Sequence, residues 1–209
     1  RSWVNELFVE DLNFKSEIKK LLIKSKNLRK TKNQIIFYGS STIRLWVNLK
    51  KDFSGFNVFN FGFGGALISS LSKNFKLIFQ NLNPSVIVLY MGGNDLTRFD
   101  SCDTIVSKQL NFIDEIYSNY PNTKIINLSI KPSFERLSKI PTIKKINKKM
   151  SQESRINKKF IQIDFFEKFF ENNKLCKKYF LQDGLHLNLK GYQILQNEIL
   201  SFLKNSYVK

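Results

Sequence analysis

Apolar positions along the chain follow two periodicities that alternate. Short runs, "QIIFYG" (34–39), "NVFNFG" (57–62), "SVIVLYMG" (85–92), "TKIINLSI" (123–130) and "FIQIDFF" (160–166), are bounded by Gly, Pro, Asn or charge and predict five β-strands. Between them the repeat lengthens to that of a helix. "ALISSLSKNFKLIFQNL" sets Leu67, Leu71, Phe75, Ile78 and Leu82 on one stripe, and "TIVSKQLNFIDEIYSNY" does the same with Ile105, Leu110, Ile113, Ile116 and Tyr117. The basic stretch "IKKINKKMSQESRINKK" carries Ile143, Ile146 and Met150 at helical spacing. Val4 to Leu28 reads mainly as helix, and a last helix is expected from about Leu189 to Leu203.

Strands alternating with helices predict an α/β fold, a parallel sheet covered on both faces. No repeat, linker or composition break divides the 209 residues. The expectation is a single domain over 1–209, with 1–30 an N-terminal helical extension packed on it. Sites in such sheets form beyond the carboxyl ends of the strands. The unusual residues of this chain collect at those ends.

The first strand runs into "YGSSTIRLW", where Gly39 is followed by Ser40, Ser41 and Thr42. A hydroxyl there would sit beside a helix N-terminus, whose free N–H groups favour developing negative charge. Either serine taken alone reads more readily as an ordinary N-cap than as a nucleophile. "NFGFGGA" after the second strand has Gly62, Gly64 and Gly65 close together, which suits a tight turn or an N–H pointed into a site. "MGGNDL" after the third presents Asn94 and Asp95, which are turn or cap residues unless the Asn94 amide donates to an oxyanion. "SIKPSFER" after the fourth supplies Lys131 and Arg136, and "DGLHLN" brings Asp183 and the chain's single histidine, His186, to the same edge.

These blocks together resemble the SGNH hydrolases, also called GDSL-type esterases, over Ile35 to about Leu200. All four name-giving positions occur in family order; the first and last blocks are distinctive and the glycine block is weaker alone. The resemblance implies a three-layer α/β/α sandwich of flavodoxin-like type with a five-stranded parallel sheet. It implies Ser41 as nucleophile, Asp183 and His186 as the Asp-x-x-His pair, and Ser41, Gly65 and Asn94 as oxyanion-hole donors. One departure stands out. Where the family commonly reads Gly-Asp-Ser, this chain reads Gly-Ser-Ser, which makes Ser40 a minor rival and leaves the bracing of the turn to be found.

The implied chemistry is acyl transfer through an acyl-enzyme, with no cofactor and no metal. A serine hydroxyl needs a base of pKa near ~7, and histidine, with a reference value of about 6.5, is suited to that. The expected activity is a serine esterase acting on a small, acetyl-like ester of a small molecule or glycan. Transacylation, or glycan or polyanion binding without catalysis, is the alternative on the same fold. Trp46, Phe63, Phe99 and the "SIKPS" segment are candidate pocket liners, and Arg44, Lys131 and Arg136 would suit an anionic substrate.

Composition changes this picture little. A hydrophobic fraction of 42% with 20 Phe describes a globular chain. The net charge of +17 raises nucleic acid as a partner, but scattered lysines on solvated helix faces account for it, and polyanion binding explains neither the lone histidine nor the Gly/Asn clusters. Cys102 and Cys176 form no CxxC pattern, and with one histidine they make a poor zinc set. No apolar run approaches the roughly 20 residues of a membrane span. No secretion signal is visible, so a cytoplasmic location is expected, or a periplasmic or secreted one if a leader was removed before Arg1.

Overall fold

A computed structural model describes residues 2–28, 31–98 and 100–207, with side chains described for 14–28, 31–98 and 100–205. Strand β1 (Gln34–Gly39) is buried along its whole length, and its side chains divide by parity. Ile36 and Tyr38 join one core and Ile35 and Phe37 another, as the alternation of a strand between two covered faces requires. The other strands, β2 (Asn57–Gly62), β3 (Pro84–Tyr90), β4 (Lys124–Leu128) and β5 (Phe160–Ile163), pair with it in the order β2-β1-β3-β4-β5, all parallel.

Helices α1 (Ser2–Asn27), α4 (Ile68–Phe79), α5 (Cys102–Asn119) and α6 (Ile140–Asn157) lie on the first face. The short helices α2 (Ser41–Arg44) and α3 (Leu49–Asp52), with α7 (Leu189–Tyr207), cover the second. The chain is therefore the α/β/α sandwich that the alternation of periodicities predicts. Ile18 and Leu21 seat α1 against α4 on the first core. Phenylalanine fills both layers: Tyr38, Phe75, Phe79 and Phe112 cluster on one side, Phe37, Phe53, Trp46 and Tyr192 on the other. Each such ring contributes roughly 2–3 kcal/mol by leaving water.

Several boundaries differ from the expected ones, for local reasons. β5 stops at Ile163 because the Asp164 carboxylate accepts the Phe166 N–H at 3.0 Å and turns the chain. The α5 stripe is Ile105, Val106, Gln109, Phe112, Ile113 and Ile116; Leu110 is only partly buried and Tyr117 is exposed beneath Lys159. α2 and α3, at four residues each, are too short to show a period. So is the hairpin of β6 (Phe170–Glu171) and β7 (Lys174–Leu175), whose turn residues Asn172 and Asn173 both have positive φ, at 49° and 61°. In α6, Ile143, Ile146 and Met150 are buried while Lys144 and Lys149 pair outward with Glu167 and Asp103. That lysine run is a solvated helix face.

β1 connects to neighbours on both sides, β2 and β3, so the strand order reverses there. The crevice beyond their carboxyl ends is where such a sheet admits a ligand.

Candidate active site

The end of β1 is clamped from both sides. Ser40 N–H donates to the Tyr90 carbonyl of β3 at 3.2 Å, and Phe63 N–H after β2 donates to the Gly39 carbonyl at 3.0 Å. Ser40 is buried at 4% exposure; Ser41, the first residue of α2, is half-buried. The bracing that a Gly-Ser-Ser turn needs comes from several groups. The Ser40 carbonyl accepts the Ile43 and Arg44 N–H groups at 2.9 and 3.1 Å. Asn60 Nδ2 donates to the Ile43 carbonyl at 2.6 Å, and the Tyr192 hydroxyl donates to that of Thr42 at 3.0 Å. Gly62 lets α2 lie this close, since a Cβ there would fall 2.3 Å from the Arg44 nitrogen.

The glycine turn is held by two carboxylates and an amide. Glu17 of α1 accepts the Gly64 N–H at 2.5 Å and pairs with Arg44 at 3.4 Å, linking the glycine turn to α2. Both Asp95 oxygens accept the Ile68 N–H at 3.3 Å and cap α4. Burial pushes the Asp95 carboxyl up, the Ile68 N–H opposing it. Gly65, at φ +65°, leaves its N–H on an exposed turn. Asn94 Nδ2 donates to the Ala66 carbonyl at 3.0 Å while Arg136 donates to Asn94 Oδ1 at 3.1 Å. The two contacts fix which way the Asn94 amide faces and leave its second N–H free to donate elsewhere.

Asp183 and His186 share a loop pinned at its neck, where Leu181 N–H donates to the His186 carbonyl at 2.8 Å. Asp183 Oδ1 accepts the Leu185 and His186 N–H groups, both at 2.9 Å, and Oδ2 lies 2.6 Å from His186 Nδ1. His186 Nε2 is 3.2 Å from Ser41 Oγ. With the ring proton on Nδ1 facing the carboxylate, Nε2 keeps its lone pair for the Ser41 hydroxyl. Desolvation raises the Asp183 carboxyl, but the bond to the His186 ring and the two backbone N–H groups outweigh it and bring the group down to about 2.

The structure thus brings Ser41, His186 and Asp183 into one hydrogen-bonded line and sets Asn94 against the Gly65–Ala66 turn. Ser40 is buried away from solvent. Trp46 and Phe63, 1% and 0% exposed, are core residues rather than pocket liners; Phe99 lies outside the described residues. Arg44 is taken by Glu17, Arg136 by Asn94, and Lys131 is buried behind the His186 loop. Glu17 carried no sequence signal for its contacts, and Asp95, expected as a local turn or cap residue, caps the distant helix α4 instead. Among the described residues both cysteines are free, no cluster of His, Cys, Asp and Glu suits a metal, and no helix is long and apolar enough to cross a membrane.

Strand order and the cluster at the switch point describe an acylhydrolase of SGNH type. Residues 30–199 match the family model for GDSL-like Lipase/Acylhydrolase, and the chain belongs to that family. Solved structures share the fold at low identity. A Streptococcus pneumonia protein named for platelet activating factor superposes with a TM-score of 0.83 at 22% identity, over 97% of this chain and 99% of that one. A GDSL-like lipase from Bacteroides thetaiotaomicron VPI-5482 gives 0.77 at 19%, over 90% and 98%. A carbohydrate esterase family 3 protein from Talaromyces cellulolyticus gives 0.65 at 17%, over 83% and 96%. Among curated proteins no relative matches the chain.

Proposed function

We propose that the protein is a carboxylic ester hydrolase that cleaves a small, acetyl-like ester through a covalent intermediate on Ser41. The observation that carries this reading is the line Ser41 Oγ, His186 Nε2, His186 Nδ1, Asp183 Oδ2, with separations of 3.2 and 2.6 Å at its two hydrogen bonds. His186 takes the Ser41 proton as the oxygen attacks the ester carbonyl. Asp183 holds the tautomer and stabilises the imidazolium. The tetrahedral oxyanion is met by the N–H groups of Ser41 and Gly65 and by the free Asn94 amide hydrogen. His186 then protonates the leaving alcohol, and water repeats the steps to release the acid.

A short acyl group is favoured because the aromatic volume beside the turn, Trp46, Phe63 and Tyr90, is filled core rather than an open channel. The fold does not choose the alcohol, since its neighbours are named as a lipase and as a carbohydrate esterase. A sugar hydroxyl is the working choice. The test is turnover of an activated acetate ester, with a fluorophosphonate label located by mass spectrometry. Wild type should turn over and carry the label on Ser41, and Ser41→Ala should do neither. Equal turnover by both, or a label on Ser40, overturns the reading. Product analysis with an added alcohol separates free acid from acyl transfer, and an acyl series from acetate to octanoate should fall with chain length.

A further inference from the structure

Behind the His186 loop lies an ammonium that the steps above leave unused. Lys131 follows β4 and is 4% exposed. Its Nζ donates to the Leu185 carbonyl and sits 5.6 Å from the centre of the Phe180 ring, while its backbone N–H reaches the Tyr90 hydroxyl at 3.4 Å. Burying an ammonium costs several kcal/mol unless it is compensated, so a lysine kept here needs partners that offset part of the loss of water.

Its partner is a particular peptide. The Leu185 carbonyl and the His186 N–H belong to one amide unit, and that N–H donates to Asp183 Oδ1 at 2.9 Å. A cation on the amide oxygen draws electron density from the nitrogen and makes its N–H a stronger donor. The path runs from Lys131 through the Leu185–His186 peptide to one oxygen of Asp183, whose other oxygen holds the imidazole. The same segment makes a second tie, Phe134 N–H to the Gly184 carbonyl at 2.8 Å. Gly184, at φ +64°, has no room for a side chain: a Cβ would fall 2.9 Å from Phe134 Cβ.

We propose that Lys131 is a positioning residue for the acid–base loop, its ammonium fixing and polarising the peptide that holds the Asp183 carboxylate. The proposal rests on the Ser41–His186–Asp183 reading. The charged and titratable groups around Lys131 are Arg136 and Glu135 on the segment after β4, Asp183 and His186 on the loop, and the Tyr90 hydroxyl at the end of β3. Burial first, then the Arg136 guanidinium, push the lysine from its ordinary 10.5 down to about 7, against the pull of Asp183 and Glu135.

The signs for activity and stability are opposite. The charge that polarises the peptide is present below about 7 and fades as pH rises through it. In the unfolded chain the lysine stays protonated up to its ordinary 10.5, so the unfolded state binds more protons between about 7 and 10.5. Stability from this group therefore rises with pH across that window and is lowest below it.

The experiment compares wild type with Lys131→Met, Lys131→Gln and Lys131→Arg on an activated acetate ester across about pH 5 to 9. At the acid end Lys131→Met should lower kcat by about 10- to 100-fold, the scale found when the outer hydrogen-bond partners of metal-ligating side chains are removed. KM should stay near the wild-type value, and Tm should rise. The wild-type advantage should shrink as pH passes about 7, whereas Lys131→Arg, which keeps its charge, should hold a constant ratio to Lys131→Met. Lys131→Gln keeps a donor without the charge and supplies the comparison if Met does not fold. Unchanged kcat in a folded neutral variant, or a loss that does not vary with pH, overturns the proposal. If Ser41→Ala is inactive while Lys131→Met and Lys131→Gln match wild type, only the role of Lys131 fails. An active Ser41→Ala removes the reading beneath it.

Discussion

Ser41 stands on a turn wedged between the ends of three strands, whereas Asp183 and His186 ride on a loop with side chains 46% and 26% exposed. On the strand side, position is set by backbone against backbone: the approach of α2 to Gly62, and the bonds from Ser40 to Tyr90 and from Phe63 to Gly39. On the loop side it is set by hydrogen bonds converging on one carboxylate and by ties from the segment after β4. The strand side draws its geometry from the packing that also holds the sheet together. The loop can be altered without opening the core. Changes in the two halves should therefore register in different measurements.

The largest contrast is expected at the imidazole. His186→Ala should lower kcat by about 10⁴-fold or more on an activated acetate ester, with Tm close to wild type because the side chain is loop-borne. A matching loss of Tm would erase the difference between the halves. Asn94→Ala should lower kcat by roughly 100- to 1000-fold, the usual size for one oxyanion donor, with a modest Tm change from freeing Arg136 and the Ala66 carbonyl. Gly62→Ala should act the other way round. Its Cβ meets backbone rather than a flexible tip, so a loss of about 2–4 kcal/mol and a Tm lower by about 5–10 °C are expected in thermal melts. Because that Cβ pushes on α2, which carries Ser41, kcat per folded molecule should fall as well, but by less than in His186→Ala.

The smallest effect concerns acid. With its folded value depressed to about 2, the Asp183 carboxyl contributes stability that is complete above its ordinary 3.8, falls as pH drops below that value and is gone once pH has passed through about 2. Its carboxyl carbon signal in NMR should stay flat from neutral pH to near 3 and move only below that. Movement centred at 4 or above would show that the loop does not hold the anion. Because the group is exposed, the matching change in Tm should be slight.

Much of this arrangement was legible from local pattern. Strand and helix periods sorted the chain into the five strands of its main sheet and its longer helices, since each depends on neighbours a few residues away. The Asp-x-x-His spacing was equally local: Asp183 reaches the His186 ring and two backbone N–H groups without leaving its own loop. Asn172 and Asn173 could have announced the small hairpin, because asparagine is among the non-glycine residues that most readily take the positive φ both adopt. The exposure of Tyr117, by contrast, depended on what α5 met across the core.

What the sequence determined by itself was the alternation of elements, the Gly, Ser and Asn turns at strand ends, and the pairing of one carboxylate with one imidazole. All follow from short-range backbone preference and spacing. Only the tertiary structure decided the contact of Ser41 with the ring across 145 residues, the reach of Glu17 of α1 to the glycine turn, and the burial of Lys131. Those outcomes depend on packing between segments far apart in the chain. A lysine has the same local signature whether it ends in water or against a carbonyl.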